Sequence, residues 1–264
     1  MKARLLGLGA AEAVRSDGGG RVVAWFPEAC YVDLSGRLLA LVAPDVSPGP
    51  LYAVLEDAPR RVPPDAPVRV SAGILTIERG VVTLRGAAPW RGELPEPHEV
   101  RRGAELVAGI AERSGRGSAL HAEPYRDRAQ RARGRLRDGR LGEAAELLVG
   151  LGPGLTPSGD DAVAGALFAV RALVGQDVEA EVTRSAEVGE TGLIPRAFLR
   201  WAARGQALSP AHALFLAGAA GDLRRAEEAA RALEGVGETS GRDFLLGLSW
   251  GLRYGQPSAG PADG

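Results

Sequence analysis

The chain has 264 residues, 45% of them hydrophobic and 25% charged, and its formal net charge is -1. This composition is typical of a globular protein with one large domain or two modest ones. The near-neutral charge excludes the basic excess of nucleic-acid-binding proteins, and no apolar run reaches the roughly 20 residues that span a bilayer. We therefore expect a cytoplasmic protein without nucleic-acid or membrane partners.

Single residue types exclude further classes of site. Cys30 is the only cysteine, which excludes an internal disulfide and a thiolate metal cluster. Lys2 is the only lysine, so the buried amine of Schiff-base enzymes and P-loop nucleotide sites is missing. The arginines from Arg126 to Arg140 share their helix with Asp127 and Asp138. A solvated helix face is therefore favoured there over an anion-binding or partner surface.

Short apolar or alternating runs between Gly, Pro and Asp turns predict β-strands in the first part of the chain. GRLLALV and GILTIERGVVTL are expected to form hairpins, the second turning at Arg79 and Gly80. The Pro-rich segment VPPDAP is expected to be a surface connection. The seven predicted strands lie between residues 21 and 86 and read RVVAWF, ACYVDL, RLLALVA, LYAVLE, PVRV, GILTIE and VVTLRG.

Ala, Leu, Glu and Arg at helical spacing, punctuated by glycine, predict helices after Pro95 and Pro97. The predicted fold class is therefore α+β. A β-rich domain of residues 1–95, like a small barrel or sandwich, precedes a helical domain of residues 96–264. The nine predicted helices are Glu99–Arg113, Pro124–Arg137, Leu141–Val149, Asp160–Val174, Val178–Gly189, Ile194–Arg204, Pro210–Ala219, Leu223–Leu233 and Arg242–Tyr254.

Two of these helices are predicted to begin in the same way. PSGDDAVAGA, residues 157–166, and TSGRDFLLGL, residues 239–248, align without a gap as S-G-x-D-x-x-x-G followed by an apolar residue. The match is too short to establish a duplicated domain. It predicts two helices packed as a related pair, with Gly165 and Gly247 allowing close approach of their backbones.

The turns that open these helices combine glycine, hydroxyl and carboxylate groups. Unpaired N–H groups at a helix start, with the helix dipole behind them, attract phosphate and carboxylate ligands. We therefore predict one site for a small anionic substrate. Its predicted binding residues are Gly152, Gly154, Thr156, Ser158, Gly159, Thr239, Ser240, Gly241 and Arg242, and its predicted catalytic residues are Asp160, Asp161 and Asp243.

A capping box is the structural alternative. Ser158 would then cap the N3 amide while Asp161 bonds back to the Ser158 amide, and Ser240 and Asp243 would do the same. Capping does not account for Asp160 beside Asp161, for the extra threonines, or for glycines where other residues form helices better. The functional hypothesis is favoured for that reason.

Metal and nucleophile motifs give weaker signals. Two adjacent carboxylates beside a phosphate-binding turn suit Mg²⁺, so no cofactor is predicted as certain and Mg²⁺ is the alternative. His98, His121 and His212 are not spaced as a zinc pair and are expected on the surface or at helix ends. Cys30 lies in a predicted strand and is expected in the core. The sequence contains no dinucleotide-binding or G-K-[ST] motif.

The run GLGPGLTPSGDDAVAG, residues 150–165, resembles the signature of the AllH family, first described as a domain of unknown function. Its named member is a subunit of oxamate carbamoyltransferase in anaerobic allantoin degradation, a route of purine catabolism. The resemblance extends to residues 190–205, 237–248 and 36–50, and so covers most of the chain. Two positions depart from the family pattern: Glu238 replaces an expected histidine and Pro195 a common serine.

The resemblance implies carbamoyl transfer between oxamate and phosphate, with oxalurate and carbamoyl phosphate on the two sides. It also implies partner subunits, in a hetero-oligomer or homo-oligomer. Residues 154–159 and 240–242 would stabilise the tetrahedral intermediate with amides, hydroxyls and a guanidinium. Asp161 and Asp243 would orient the turns, and Asp160 would be the freer carboxylate for a proton or a metal-bound water.

Two other functions fit the same residues. The chain can be a non-catalytic subunit that binds a ligand or completes an assembly. It can also be a Mg²⁺-dependent phosphotransferase, although the lack of a second lysine counts against nucleotide binding.

Overall fold

The computed structural model describes residues 1–78, 80–175 and 179–256. The chain forms two compact units. The first comprises Met1–Gly92 with Gln206–Ser209, and the second comprises Glu93–Gly205 with the described residues from Pro210 onward. Strands fill the first unit and helices the second, which confirms the predicted α+β fold class. The division of the chain into domains at residue 95 stays a prediction.

The first unit is built around one nine-stranded sheet in the order β8-β7-β6-β2-β3-β4-β5-β1-β9. Seven of its strands coincide with the seven predicted runs. The strands are β1 (Ala3–Gly7), β2 (Gly18–Phe26), β3 (Ala29–Leu34), β4 (Arg37–Val42), β5 (Tyr52–Leu55), β6 (Pro67–Ser71), β7 (Ile74–Ile77), β8 (Gly80–Thr83) and β9 (Ala88–Trp90).

The sheet curls so that β8, at one end of the strand order, approaches the start of β1 near the other end. Lys2, just before β1, forms a parallel bridge with Thr83 at the end of β8, and the Thr83 amide donates to the Met1 carbonyl at 3.0 Å. β1 also pairs in parallel with β9. These contacts give the curled, half-barrel form of the β-rich part, in keeping with the predicted small barrel.

Both predicted hairpins are present. β3 and β4 pair antiparallel from Leu34 and Arg37 at the turn, where Ser35 (φ 57°) and Gly36 (φ 83°) both lie in the left-handed region. Two such residues match the twist of the flanking strands. β7 and β8 also pair antiparallel, and Arg79 at their turn lies outside the described residues.

Alternating side chains of the strands form the core of this unit. In β6 the exposed and buried residues alternate strictly, so Val68 and Val70 face inward. Cys30 joins this core with 1% of its surface exposed, as expected. Burial raises the pKa of the Cys30 thiol to about 11, because the thiolate would lose its hydration.

Cys30 should therefore resist thiol reagents in the folded protein. The thiolate is the reactive form, and a buried thiol with a raised pKa supplies very little of it. We expect dithionitrobenzoate at pH 8 to label Cys30 only in denaturant, with a rate at least about a hundredfold lower under native conditions. Rapid labelling of the native protein would contradict the burial of Cys30.

Three short elements of the first unit were not predicted. They are β1, β9 and helix α1 (Leu8–Ala13), which follows β1 without a break. The segment Gln206–Ser209 also belongs to this unit, far along the chain from the strands. Gln206 is buried and exchanges two hydrogen bonds of 3.0 Å with the backbone of Gly92.

The second unit is helical, and each of the nine helices predicted after residue 95 has an observed counterpart. The predicted start of one helix at Val178 lies outside the described residues. Two 3-10 turns, η1 (Gly115–Gly117) and η2 (Ala119–His121), lie between the first two helices. The helices are α2 (Pro97–Ser114), α3 (Arg126–Arg137), α4 (Leu141–Leu148), α5 (Ser158–Val174), α6 (Glu179–Ser185), α7 (Leu193–Ala203), α8 (Ser209–Ala220), α9 (Leu223–Glu234) and α10 (Ser240–Gly251).

The surface of these helices agrees with the charge analysis. Arginines around α3 form ion pairs, among them Arg133 with Glu112 at 3.1 Å and Arg135 with Glu143 at 3.2 Å. A solvated, ion-paired helix face is the better description of this stretch. In the described part of the chain, none of the helices combines the length and the apolar character needed to cross a membrane.

Candidate functional site

The turns before α5 and α10 have equivalent backbone geometry. The Gly159 amide donates to the Leu151 carbonyl at 2.8 Å, and the Gly241 amide donates to the Val236 carbonyl at 3.0 Å. A Cβ on Gly159 would lie 1.9 Å from the Leu148 carbonyl oxygen, so the preceding helix end occupies that space. At Gly241 the corresponding distance is 1.7 Å, to the carbonyl oxygen of Leu233. Both glycines are therefore required by packing.

α5 and α10 pack as a related pair, as predicted. A Cβ on Gly165 would lie 2.0 Å from the Phe244 carbonyl oxygen, and a Cβ on Gly247 would lie 1.8 Å from the Ala162 carbonyl oxygen. Ala162 and Phe244 hold equivalent places in the aligned segments. Each helix thus packs its glycine against the equivalent residue of the other helix. This contact pattern is that of two helices related by a local twofold axis.

A direct side-chain contact brings the two turns together. Thr156 Oγ1 and Ser240 Oγ lie 3.1 Å apart, within hydrogen-bond distance. Glu238 occupies the place equivalent to Thr156 in the second turn, and its side chain is exposed. The two turns are therefore in contact, and they carry different side chains at equivalent positions, a threonine in the first turn and a glutamate in the second.

The capping-box alternative is not observed. Neither α5, whose N-cap is Pro157, nor α10, whose N-cap is Thr239, has a side-chain capping bond. The Asp243 carboxylate instead accepts from Ser118 Oγ and from the Ala119 amide at 3.1 Å through Oδ1. Serine and aspartate at these positions consequently need another explanation than local capping.

The sequence predicted unpaired backbone amides at the start of α5, and the structure has them at a different place. The Gly159, Asp160 and Asp161 amides all donate to chain carbonyls. Earlier in the turn, the amides from Gly154 to Thr156 have no hydrogen-bond partner within the described part of the chain. Gly152 (φ 120°) and Gly154 (φ 94°) allow the backbone to bend there. The candidate anion donors thus lie in the glycine-rich loop, one turn ahead of the helix.

Three carboxyl groups lie close together at the two helix starts. Asp160 and Asp243 are 1% and 0% exposed, and Asp161 is half-buried. Each has one buried oxygen without a hydrogen-bond partner: Asp160 Oδ1, Asp161 Oδ2 and Asp243 Oδ2. Orphaned buried oxygens are costly in a folded protein and commonly mark functional sites.

The surroundings of Asp161 favour its protonated form. Burial raises the pKa of Asp161 well above its usual value, and the neighbouring Asp243 and Asp160 carboxyls raise the pKa further. The hydroxyls of Ser240 and Thr156 lower the pKa of Asp161 without offsetting these effects. Burial outweighs the hydroxyls because a carboxylate loses more from lost hydration than two neutral donors return.

Asp160 and Asp161 differ in burial and in hydrogen bonding. Asp160 is not the freer carboxylate, because it is buried and its Oδ2 accepts from the Gly150 amide at 3.1 Å. Burial raises the pKa of Asp160, while the Gly150 amide, Thr191 and Arg196 act in the opposite direction. Thr191 is therefore close to this carboxyl, although Asp160 Oδ1 and Thr191 Oγ1 lack ideal hydrogen-bond geometry. Asp161 is the more accessible acid of the two.

Arg242 is the cation nearest in sequence to these groups, and it holds the place equivalent to Asp160 in the second turn. Its side chain is half-buried and makes neither an ion pair nor a hydrogen bond with the described residues. An unpaired, half-buried guanidinium is suited to a carboxylate or phosphate ligand.

Sequence reasoning missed the residues that hold this site from outside the two turns. Gly117 and Ser118 lie between α2 and α3, and Arg196 donates to three carbonyls of residues 186–189, the segment before Thr191. The glycine-rich run GRGS at residues 115–118 was the available signal for the first two. Nothing in the spacing indicated Arg196.

The remaining candidate residues lie elsewhere. His212 is buried at 3% exposure, not on the surface or capping as expected, because its ring packs edge-on against Phe168 at 5.0 Å and its Nδ1 lies 3.0 Å from the Glu93 carbonyl oxygen. Over residues 1–78, 80–175 and 179–256, no group of three His, Cys, Asp or Glu side chains is arranged to hold a metal ion.

Comparison with known proteins covers the part of the chain that forms this site. No curated protein and no solved structure matches the chain. The resembling segments 150–165, 190–205 and 237–248 all fall within one match to a family model, whereas segment 36–50 lies outside it. Over residues 148–252 the chain matches the model of the family described as oxamate carbamoyltransferase subunit AllH.

Proposed function

We propose that this chain is a carbamoyltransferase subunit that binds oxamate or oxalurate, and phosphate or carbamoyl phosphate, at the paired turns before α5 and α10. The observation that carries the proposal is the presence of two unlike groups at the starts of the paired helices α5 and α10. Burial raises the pKa of Asp161 well above its usual value, and the Arg242 guanidinium has no hydrogen-bond or ion-pair partner among the described residues. The family description supports this class of reaction.

Three kinds of donor are available to a small anion in this site. Arg242 offers charge-assisted hydrogen bonds, and the loop from Gly154 to Thr156 offers backbone amides. Protonated Asp161 offers an O–H donor, whereas ionised Asp161 would repel an anion. Anion binding should therefore be strongest at pH values below the Asp161 pKa.

The same groups suit transfer of a carbamoyl group. A phosphate oxygen attacks the carbamoyl carbon of oxalurate, and the C–N bond to oxamate breaks after a tetrahedral intermediate forms. The departing nitrogen receives a proton from Asp161, and the phosphate hydroxyl returns a proton to Asp161. Carbamoyl phosphate and oxamate result, with every proton accounted for. In this scheme Arg242 and the loop amides balance the negative charge of the reactants.

The other predicted site residues have supporting roles in this proposal. Asp160 holds the first turn through Gly150, and Asp243 holds residues 118–119. Gly159 and Gly241 permit the close packing, while Thr156 and Ser240 join the turns. Ser158 and Gly152 shape the loop, since a Cβ on Gly152 would lie only 3.0 Å from the Ser158 amide nitrogen. We further propose a cytoplasmic enzyme with partner subunits.

One observation favours a second function, that of a non-catalytic assembly subunit. Leu155 lies at the tip of the glycine-rich loop and exposes 46% of its surface. An exposed apolar side chain beside candidate ligand donors suits contact with a partner protein. In that case the chain would complete a site whose reacting groups lie on another subunit.

Replacement of Arg242 tests ligand binding directly. We expect oxamate, phosphate and carbamoyl phosphate to raise the melting temperature of the wild-type protein, since each would bind only the folded state. Arg242→Gln should weaken the apparent affinity by about 10- to 100-fold, the loss expected for a charge-assisted hydrogen bond. Thermal-shift titration measures both.

Arg128→Gln is the matched control, because Arg128 is an exposed arginine on α3. Mg-ATP is included as a ligand to test the phosphotransferase alternative. Equal shifts in wild type and Arg242→Gln would argue against the site. A shift with Mg-ATP alone would replace the proposed reaction with phosphoryl transfer.

A further inference from the structure

Gly117 lies directly against the Arg242 side chain. A Cβ on Gly117 would be 2.7 Å from Arg242 Cδ and 3.2 Å from Nε. The φ angle of Gly117 is not in the left-handed region, so the backbone does not itself demand glycine there. The space that a larger residue would fill is taken by the arginine.

Ser118 ties the same turn to α10. It is 5% exposed, its Oγ donates to Asp243 Oδ1, and the Ala119 amide donates to the same oxygen at 3.1 Å. Ser118 Oγ also accepts from the Leu120 amide at 3.1 Å, which fixes its orientation. Asp243 directly follows Arg242 on α10. The turn that carries Gly117 is thus anchored one residue away from the guanidinium.

We infer that Gly117 and Ser118 are positioning residues that set where the Arg242 guanidinium meets the anionic ligand. The Arg242 side chain packs against Gly117, and the hydrogen bond of Ser118 to Asp243 holds the turn that carries Gly117 against α10. Neither residue touches the substrate. The inference rests on the proposed function, because it assigns Arg242 to the anion.

The geometry predicts that substitution of Gly117 moves Arg242 and leaves the fold intact. The clash at 2.7 Å involves Cδ, near the flexible end of a side chain, and no backbone atom of Arg242. Rotation of the arginine relieves the clash at little cost to the free energy of unfolding. Gly117→Ala therefore separates a change of ligand affinity from a change of stability.

Calorimetric titration with oxamate tests the inference in a double-mutant cycle. Gly117→Ala should weaken the affinity about tenfold, with a melting temperature close to that of wild type. In an Arg242→Gln background the same substitution should change the affinity by less than about twofold, because its effect passes through the arginine. Gly109→Ala is the control, since its Cβ would lie at an ordinary 3.8 Å from Arg113.

Two results would overturn the inference while the proposed function stands. One is wild-type affinity in Gly117→Ala when Arg242→Gln binds weakly. The other is an equal loss from Gly117→Ala in both backgrounds, which would show that the residue acts by another route. If wild-type protein does not bind oxamate, or Arg242→Gln binds it equally well, the proposed function fails and the inference fails with it.

Discussion

Asp161→Asn should abolish carbamoyl transfer while the protein keeps its fold and its anion affinity. Asparagine retains a hydrogen-bond donor but has no proton to give to the departing nitrogen. A general acid typically contributes a factor of about 10²–10⁴ to the rate, and a loss of that size is expected. The assay is formation of carbamoyl phosphate from oxalurate and phosphate by protein purified together with its native partners.

The same substitution should make the protein more stable. Because the folded-state pKa of Asp161 is raised, the folded protein holds the Asp161 proton more tightly than the unfolded chain does. The resulting stability is present at acid pH and is lost as the pH rises through the folded-state pKa. Above that pKa, Asp161→Asn should be more stable by about 1–3 kcal/mol, the usual cost of an unsatisfied buried polar group.

The stability difference should vanish at acid pH, where Asp161 is protonated in both the folded and the unfolded chain. Asp127→Asn, an exposed residue in the first turn of α3, is the control and should show no such gain. Urea unfolding at several pH values gives these comparisons. Undiminished transfer by Asp161→Asn would exclude Asp161 as the acid, and a less stable variant would argue that its carboxylate is well satisfied.

Gly247→Ala should strongly destabilise the helical unit. The added Cβ would lie 1.8 Å from the carbonyl oxygen of Ala162 and 2.7 Å from its Cα. Both are backbone atoms of α5, so the two helices must move apart. Overpacking of this kind costs about 1–3 kcal/mol and occasionally more, and we expect the upper end or beyond. Gly165→Ala should behave alike, by the local twofold.

Gly134→Ala is the matched control for the helix pair. Gly134 lies within α3, and its Cβ would meet no atom within 4 Å. This variant should gain about 0.5–1 kcal/mol from helix propensity alone. Urea midpoints at unchanged m-value measure both effects. Equal midpoints for Gly247→Ala and wild type would contradict the close approach of α5 and α10.

Local patterns predicted most of the fold. Glycine and proline mark the helix ends, and alternation marks strands such as β6, so the elements were found within a few residues. β9 was missed because it has only three residues and contains Pro89, and β1 was missed because its apolar run continues without a break into α1. The place of residues 206–209 in the β-rich unit depends on tertiary contacts of Gln206, which no local pattern reports.

The site was predictable where the two turns repeat each other. The echo placed Asp161 and Asp243 at equivalent helix starts and gave Gly165 and Gly247 their packing role. The likeness extends further back, to L-x-G-[LV]-G in residues 148–152 and 233–237. An alignment without gaps does not include this extension, because the first turn is three residues longer than the second.

The sequence did not predict the hydrogen bonds and packing contacts between elements that lie far apart along the chain. Whether an aspartate caps its own helix or accepts from Ser118 depends on a contact across more than a hundred residues. Which carboxyl is buried depends on the segment around Thr191 beside Asp160. Asp160 was expected to be the freer carboxylate, but tertiary packing buries Asp160 and leaves Asp161 half-buried.

Calorimetric titration of the purified chain with oxamate across a range of pH tests the central claim most directly. Oxamate is suited to it because its carboxylate stays ionised from weakly acid to alkaline pH. We expect binding that weakens as the pH rises through the Asp161 pKa, is about 10- to 100-fold weaker in Arg242→Gln and becomes independent of pH in Asp161→Asn. Affinity that is unchanged by pH and by Arg242→Gln would contradict an anion site at the paired turns.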